Sequence, residues 1–496
     1  MKWRFGVIEL RLNDHRGVVE PDMFGCLIEH VGTLYDGIWV GDDPAIADDD
    51  GLRLDTIEAF EEMGMKFLRF PGGTPADVYR WRDGIGPRAE RPRTWNFFFG
   101  GEDDHAFGTD EFLRLCERVG ATAGIKINPI SAPMCEALEW MQYCNYGGDT
   151  TLANERRENG RDEPWGVRYW ILGNETIDSF SPENYAERVY EWTFFMRQLD
   201  PAAKIVAEGF FEDWNERFLK RYSELCAGGY LSKEIARVQA EGPGIQPGGK
   251  IQALGLKYPE EKTLKHAIEM IEKYCEPGTM EICVEEWQAQ SEFKCGWPDA
   301  WREGMSMAEI VLAQGRTNLS YENEARMDGA VSAAKQMHMF MRYAAYVKSA
   351  CFLYPTNAWT PLLQTRGAEL VVTAHGHLLG MLKAHQGGAV VGATEGEGDG
   401  VDVLATADDA GGKLVVSLVN EAEGAVDVTV GIGGGAGVIA SATATVISGA
   451  AGDQNSFAEP GKVTPREGTV AVEGGRLKLA CAGMSVTVLG CEVRST

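Results

Sequence analysis

The chain has 496 residues, of which 44% are hydrophobic and 10% aromatic, and its formal net charge is −27 at pH 7. This length exceeds one ordinary hydrophobic core and predicts two or more folded domains. The strong negative charge argues against nucleic acid or an anionic membrane as a partner. No stretch of sequence approaches the roughly 18 apolar residues of a membrane span. We therefore expect a protein that binds neither nucleic acid nor membrane.

The cysteines favour a reducing compartment. There are eleven of them, an odd number, scattered along the chain without a Cys-x-x-Cys pair. Cys26, Cys283 and Cys351 stand in apolar contexts, which is typical of reduced core residues. The segment Met1–Gly6 has neither the apolar region nor the cleavage site of a signal peptide. We therefore expect a cytoplasmic protein.

Residues 20–385 alternate between short apolar segments and amphipathic stretches. The apolar segments predict eight strands, at Met23–Ile28, Phe67–Phe70, Ala123–Asn128, Arg168–Leu172, Lys204–Ala207, Ile251–Leu256, Met280–Val284 and Ala350–Tyr354. The stretches between them predict helices at Leu54–Met63, Thr109–Val119, Pro182–Leu199, Glu260–Tyr274 and Asp328–Val347. Eight β-then-α units predict an α/β fold, a (β/α)8 TIM barrel with its chemistry at the carboxyl ends of the strands.

Composition changes near residue 386. The segment 386–496 has no Trp or Tyr, is rich in Gly, Ala, Val and Thr, and alternates with period two at Val401–Leu404, Lys413–Val419, Val426–Val430 and Met484–Leu489. This pattern predicts an all-β, jelly-roll-like sandwich. It offers no aromatic platform for a sugar, so we interpret it as a structural support. Residues 1–19 include an alternating run, Trp3–Leu12, that is expected to add a strand to the same sandwich.

Two glutamates terminate predicted strands four and seven. The fourth strand leads into Gly173-Asn174-Glu175, and the seventh into Glu285-Glu286-Trp287. Three β/α units separate the two, so their strands face each other across the barrel mouth. Two carboxyl groups held about 5–5.5 Å apart suit retaining glycoside hydrolysis, in which one attacks the anomeric carbon and the other donates a proton. Glu285 is expected to point the other way by strand alternation.

Six motifs carry a family resemblance: Gly25–His30, Leu68–Gly73, Trp81–Arg88, Phe107–Phe112, Gly166–Glu175 and Val284–Trp287. Together they resemble the α-L-arabinofuranosidase-like retaining glycoside hydrolases of family 51, clan A. The resemblance covers nearly the whole chain. It implies a barrel followed by a β-sandwich, and an exo-acting enzyme that hydrolyses a small oligosaccharide or glycoside. It also implies a homo-oligomer, and no cofactor or metal is expected.

The resemblance assigns roles to single residues. It implies that Glu175 is the acid/base, that Glu286 is the nucleophile, and that Asn174 bonds the sugar 2-hydroxyl. Glu29 is expected to hold sugar hydroxyls, and Arg69 to orient the nucleophile. Three further positions complete the expected substrate-binding set, namely Thr74, Tyr258 and Tyr354.

Several positions depart from the family pattern. Thr74 replaces an Asn, Leu256 a His, Tyr354 a Gln and Gln288 an Asn, while Glu208 and Lys257 add charges at strand ends. Hydrogen-bonding sites discriminate strongly among hydroxyl patterns, so these changes bear on which sugar is accepted. The alternative is a retaining hydrolase or transglycosylase for a different furanoside or a pyranoside.

Two remoter alternatives remain from the residues alone. A metal-dependent sugar isomerase could use Glu175, Glu208 and Glu286 with a histidine at a barrel mouth. The chain has only eight histidines, and His375-Gly376-His377 is expected at a helix start on the eighth unit, which counts against this alternative. A catalytically inactive sugar-binding protein is the other, although it would give the two glutamates no reason to stand beside Asn174. Activity that survives EDTA excludes the first, and turnover of an activated aryl glycoside excludes the second.

Overall fold

A computed structural model describes residues 5–30, 34–43, 45–98, 102–230, 233, 250–289, 325–394 and 400–494 of the chain. Its main β structures are a closed barrel and a ten-stranded sheet. Within these ranges no helix is both long enough and apolar enough to cross a membrane.

The barrel is formed by the first part of the chain. The strands there are β1 (Phe5–Val18), β2 (Gly25–Leu27), β3 (Phe67–Phe70), β4 (Thr94–Trp95), β5 (Glu102–Asp103), β6 (Thr122–Ile127), β7 (Tyr169–Leu172), β8 (Lys204–Glu208), β9 (Ala253–Lys257), β10 (Glu281–Trp287), β11 (Val347–Phe352), β12 (Leu363–Arg366) and β13 (Glu369–Val372). Eight of them close in the order β2-β3-β6-β7-β8-β9-β10-β11, and each neighbouring pair, including β11 with β2, is parallel. The predicted TIM barrel is confirmed.

Helices cover the outside of the barrel. The α-helices of the described ranges are α1 (Leu54–Met63), α2 (Thr109–Val119), α3 (Met134–Asn145), α4 (Thr151–Glu158), α5 (Pro182–Leu199), α6 (Glu212–Gly228), α7 (Glu261–Tyr274), α8 (Met327–Arg342) and α9 (Ala374–Leu382). The glycines that follow α1 and α2, Gly64 and Gly120, have φ of 70° and 67°. This left-handed conformation ends a helix and favours glycine, so both predicted ends are confirmed.

The predicted boundary between the last helix of the barrel region and the strand after it is wrong. The helix predicted over Asp328–Val347 ends at Arg342, and the strand predicted over Ala350–Tyr354 begins at Val347 and ends at Phe352. The apolar run after Arg342 fits a helix period, but the backbone N–H of Ile282 donates to Tyr346 O at 2.8 Å. Pairing with β10 therefore brings this segment into the barrel wall.

The last part of the chain forms the ten-stranded sheet. Its strands are β14 (Ala389–Ala393), β15 (Val401–Ala407), β16 (Lys413–Asn420), β17 (Val426–Ile432), β18 (Val438–Ser448), β19 (Arg466–Thr469), β20 (Ala471–Glu473), β21 (Arg476–Cys481) and β22 (Ser485–Arg494). The order is β19-β18-β22-β16-β15-β14-β1-β17-β21-β20, in which β1 is parallel to β17 and every other pair is antiparallel.

This sheet folds back on itself as a sandwich. β18 and β21 lie near opposite ends of the strand order. The N–H of Ile439 in β18 nevertheless donates to the carbonyl oxygen of Gly475, the residue before β21, at 3.1 Å. Alternate side chains such as Leu10, Val416 and Leu489 are buried together between the two halves. The fold class is thus a TIM barrel followed by a β-sandwich, as predicted. The domain limits at 19/20 and 385/386 stay predictions.

A polar network joins the barrel to the sandwich where α8 packs on β15 and β16. His338 bonds Asp402 through Nδ1 and Ser417 Oγ through Nε2, the latter at 2.6 Å. His385 bonds the same Ser417 Oγ through Nε2 at 2.9 Å and Thr406 Oγ1 through Nδ1 at 2.9 Å. Both imidazoles are fully buried, and burial lowers the pKa of each, that of His385 to about 3. These histidines are neutral parts of an interface.

Candidate active site

Glu286 lies on β10 with 6% of its surface exposed. Arg69 on β3 donates through Nη1 to Glu286 Oε1 at 3.0 Å, and Lys257 Nζ at the end of β9 lies 2.7 Å from the same oxygen. Burial disfavours the ionised carboxylate, but Lys257, Arg69 and Lys126 outweigh it and hold the pKa of Glu286 at about 2. Glu286 is therefore an anion over the whole neutral range.

Glu285 also faces the barrel interior, so the expectation from strand alternation is wrong. Its Oε2 lies 3.7 Å from Arg69 Nη2 and forms an ion pair with Lys126. The pairing of β10 shifts register on both sides, after Val284 toward β9 and again toward β11. Such a bulge interrupts the alternation and lets consecutive side chains face the same side. Glu285 thereby supports Arg69 from beneath Glu286.

Glu175 follows β7 in a left-handed turn with φ of 51°. Its backbone N–H donates to Glu208 Oε1 at 2.8 Å, and the N–H of Thr176 donates to Glu208 Oε2 at 3.1 Å. Glu208 at the end of β8 is fully buried, and Lys126 Nζ lies 3.2 Å from its Oε1. The Glu208 carboxylate therefore stabilises the turn at Glu175. The Glu175 side chain itself is half exposed at the barrel mouth.

Asn174 is fixed at both ends of its side chain. Its Oδ1 accepts from Arg69 Nη2 at 2.9 Å and from Lys257 Nζ at 2.5 Å. Its Nδ2 faces Thr74 Oγ1 at 3.4 Å, and the Thr74 hydroxyl donates to Glu175 Oε2 at 3.2 Å. The amide nitrogen of Asn174 is thus the end turned toward Glu175.

Glu29 and Tyr354 form the opposite wall. The N–H of Gly73 donates to Glu29 Oε1 at 2.5 Å, and the Tyr354 hydroxyl donates to Oε2. Burial, together with the charge of Glu286, raises the pKa of Glu29 to about 7 despite these hydrogen bonds. Gly72 has φ of 134°, and a Cβ there would lie 2.5 Å from Glu29 Cγ. Only glycine fits this approach of the loop to Glu29.

Three consecutive residues at the end of β9 have different surroundings. Leu256, at the position where the resemblance leads one to expect a histidine, is buried in the apolar core. Lys257 reaches the carboxylates. Tyr258, with φ of 45°, donates its backbone N–H to Glu286 O at 2.8 Å and leaves 40% of its surface exposed. The structure therefore brings all eight predicted site residues to the carboxyl ends of the strands.

Two buried residues of the site were missed from the sequence. Asp77 accepts the N–H of Asn174 at 3.1 Å, and burial beside Glu208 raises its pKa to about 7. Lys126 on β6 is fully buried and pairs with Glu208 and Glu285. A lysine between two isoleucines of a predicted strand was the available signal, since a buried lysine requires a partner. Asp77 ends a short 3₁₀ helix, Thr74–Asp77, and offered none.

The buried, ionised carboxylate of Glu286 and the half-exposed carboxylate of Glu175 both lie beside the ammonium of Lys257 at the mouth of the barrel. This arrangement can supply a nucleophile and a proton donor to a bond placed between them. Fold and site together define a glycoside hydrolase.

Comparison with known proteins gives the family. The model of the α-L-arabinofuranosidase 1 domain matches residues 59–225, and that of the α-L-arabinofuranosidase C-terminal domain matches residues 297–485. A probable α-L-arabinofuranosidase C of Aspergillus fumigatus is 28% identical over 369 residues, which cover 70% of this chain and 68% of the relative. An intracellular exo-α-L-arabinofuranosidase of Bacteroides ovatus is 28% identical over 394 residues, 76% of this chain and 73% of the relative.

Solved structures show the same fold. The family 51 arabinofuranosidase of Xanthomonas axonopodis superposes with a TM-score of 0.83 at 23% identity, over 99% of this chain and 100% of that one. An arabinose complex of the Thermotoga maritima α-L-arabinofuranosidase gives a TM-score of 0.81 at 22% identity, over 98% and 100%. The chain belongs to the α-L-arabinofuranosidase-like glycoside hydrolases.

Proposed function

We propose that this enzyme removes terminal α-L-arabinofuranosyl groups from small oligosaccharides or glycosides by double displacement. Glu286 is the nucleophile and Glu175 the acid/base. The observation that carries this proposal is the placement of Lys257 Nζ, 2.7 Å from Glu286 Oε1 and 3.6 Å from Glu175 Oε1. One ammonium in contact with both carboxylates keeps them close enough for one to attack an anomeric carbon while the other protonates the leaving oxygen.

The contacts of Glu286 distinguish its two oxygens. Arg69 and Lys257 both contact Oε1, and no described residue makes a hydrogen bond or an ion pair with Oε2. We infer that Oε2 attacks the anomeric carbon as the bond to the leaving oxygen breaks. Glu175 gives its proton to that oxygen. Water then attacks the same carbon, Glu175 takes a proton from it, and the ester bond to Glu286 breaks.

The remaining residues have binding roles in this proposal. Asn174 Nδ2 donates to the sugar 2-hydroxyl, a bond that strengthens in the transition state. Glu29 accepts from a sugar hydroxyl, and Tyr354 orients Glu29. Tyr258 packs beside the nucleophile, and Arg69 fixes its orientation. Thr74 positions the carboxyl group of Glu175.

The proposal is tested by the kinetics of two variants and by trapping the covalent intermediate. Glu286→Ala should lower kcat by on the order of 10⁴-fold or more on any glycoside, because the variant lacks the carboxylate that forms the covalent intermediate. Glu175→Ala should lose roughly 10²–10⁴-fold on glycosides with poor leaving groups and much less on activated aryl glycosides. Mass spectrometry after reaction with a 2-fluoro glycoside should locate the ester on Glu286. Full activity of either variant on a natural glycoside would refute the assignment.

A second candidate function is a retaining hydrolase or transglycosylase for a different furanoside or a pyranoside. It is favoured by the donors and acceptors that the wall of the site presents, Thr74, Lys257 and Tyr354, where the family pattern has other residues. A panel of aryl furanosides and pyranosides, with product stereochemistry followed by NMR, separates the two. The first proposal expects arabinofuranoside to be preferred, with retention of configuration. Activity unchanged by EDTA tests the absence of a metal from the reaction.

We also propose that the enzyme works in the cytoplasm as a homo-oligomer. The ten cysteines within the described ranges are all free, which suits a reducing compartment. The Bacteroides ovatus relative is named intracellular. Cell fractionation with activity measurement tests the compartment, and light scattering of the purified chain tests the oligomeric state.

A further inference from the structure

Lys257 places a positive charge among the carboxylates at the mouth of the barrel. It is the last residue of β9, and its side chain is 9% exposed. Besides its contacts with Glu286 Oε1 and Glu175 Oε1, Nζ donates to Asn174 Oδ1 at 2.5 Å. A single ammonium therefore touches the three side chains to which the proposed function gives the nucleophile, the acid/base and the 2-hydroxyl contact.

The charged groups around Lys257 come from several strand ends of the barrel. They are Arg69 on β3, Asp77 in the segment after it, Glu175 after β7, Glu208 on β8 and Glu286 on β10. Burial opposes the charged form of Lys257, but Glu286 and Glu208 outweigh it and raise its pKa. Lys257 is thus a cation throughout the neutral range.

Arg69 and Lys257 are not equivalent partners of Glu286. Both bond Glu286 Oε1, so Arg69 alone leaves the nucleophile paired. Among the residues that the structure describes, Lys257 is the one cation in contact with the Glu175 carboxylate. Its particular contribution must therefore involve Glu175.

We propose that Lys257 is a positioning residue that serves as counter-ion to Glu286 in the free enzyme and to Glu175 in the covalent intermediate. This inference rests on the function proposed above. In the first half-reaction Glu286 becomes a neutral ester and Glu175 becomes an anion, because its proton has gone to the leaving oxygen. The negative charge moves from one side of Lys257 to the other. In the second half-reaction it returns, as water gives a proton to Glu175 and the ester bond breaks.

This placement costs little reorganisation. The ammonium already lies 3.6 Å from Glu175 Oε1, so it stays paired in both states after a small movement of its own side chain. A preorganised charge next to a developing anion stabilises the transition state without solvent rearrangement.

The experiment compares Lys257→Met and Lys257→Arg by the pH dependence of kcat/KM and of kcat on an activated aryl glycoside. The pH limbs of kcat/KM should move upward in Lys257→Met and stay in place in Lys257→Arg, because only Lys257→Met removes the positive charge that contacts both carboxylates. At neutral pH, kcat for the activated substrate should fall roughly 10-fold.

Azide separates this role from a merely structural one. Azide attacks the covalent intermediate without a general base, so it should restore most of the kcat lost in Lys257→Met. Lys273→Met is the matched control, since Lys273 on α7 pairs with Glu216 at 2.8 Å far from the barrel mouth. Its pH profile should equal that of the wild type.

Each outcome decides a different point. A folded Lys257→Met with unmoved pH limbs overturns the role of Lys257. If that variant does not fold, Lys257→Gln keeps a hydrogen-bond donor without the charge and must show the same limb shift. If the wild-type enzyme forms no ester on Glu286 with a 2-fluoro glycoside, the proposed function fails instead.

Discussion

The carboxylate of Glu208 accepts the backbone N–H of Glu175 at 2.8 Å, and this bond ties the end of one barrel strand to the turn after its neighbour. Because Glu208 is fully buried and also accepts the N–H of Thr176, it supports the left-handed backbone of Glu175. The position of the proposed acid/base therefore depends on a buried carboxylate of the neighbouring strand.

Glu208→Gln should impair proton donation more than binding. The amide replaces one acceptor oxygen by a donor, so one of the two backbone N–H groups loses its partner. We expect kcat/KM to fall roughly 10–100-fold for glycosides with poor leaving groups and about 3-fold or less for activated ones. Glu187→Gln, which breaks an exposed pair with Arg221 on the barrel surface, is the control. Equal losses on both substrate types would contradict the positioning role.

Tyr354→Phe should shift a pH limb upward. The Tyr354 hydroxyl donates to Glu29 and so favours its ionised form, which opposes the rise of the Glu29 pKa to about 7. Without the hydroxyl that pKa rises further, and a larger share of Glu29 is protonated at pH 7. We expect kcat/KM at pH 7 to fall about 10-fold and to recover partly at pH 8. Tyr274→Phe removes a comparable bond to Glu216 on the outer surface and should change neither value.

Gly255→Ala should destabilise the barrel. A Cβ at Gly255 would lie 1.8 Å from Glu285 Oε1, and Glu285 is held in place by Lys126 and Arg69. Overpacking of this kind costs about 1–3 kcal/mol, which urea unfolding measures. Gly424→Ala is the control, because nothing lies within 4 Å of a Cβ there. A Gly255→Ala variant as stable as the control would show that β10 can move away.

The stability of the barrel–sandwich interface should depend on pH. His385 has a pKa of about 3 in the folded protein and an ordinary value near 6.5 when unfolded. A lowered folded pKa contributes stability above pH 6.5 that is lost as the pH falls toward 3. We expect the wild-type Tm to fall between pH 7.5 and 5, and His385→Gln to reduce that fall by at least about 2 °C.

The control for this last prediction is His15→Gln, which changes an exposed histidine on β1. It should keep the wild-type difference in Tm between the two pH values. An identical pH dependence in His385→Gln would show that the unfolding transition does not include this interface.

Most of the architecture followed from the sequence. Apolar runs alternating with amphipathic stretches determined the barrel and the order of its strands, because each strand and helix buries one face by its own period. The glycines after α1 and α2 determined helix ends for the same local reason. The position of Glu175 and Glu286 at strand ends followed from the same pattern.

The tertiary structure alone decided which charged side chains of the site are in contact. The register shift in β10 brings Glu285 and Glu286 to one side, which no alternation rule predicts. Lys257 reaches Glu175 because β7 and β9 both pair with β8, and it reaches Glu286 because β9 pairs with β10. Strand periods are local and legible in the sequence, whereas contacts across a closed barrel depend on register and twist summed over eight strands. The sequence by itself determined which carboxylates stand at the mouth, and only the fold decided which cation lies between them.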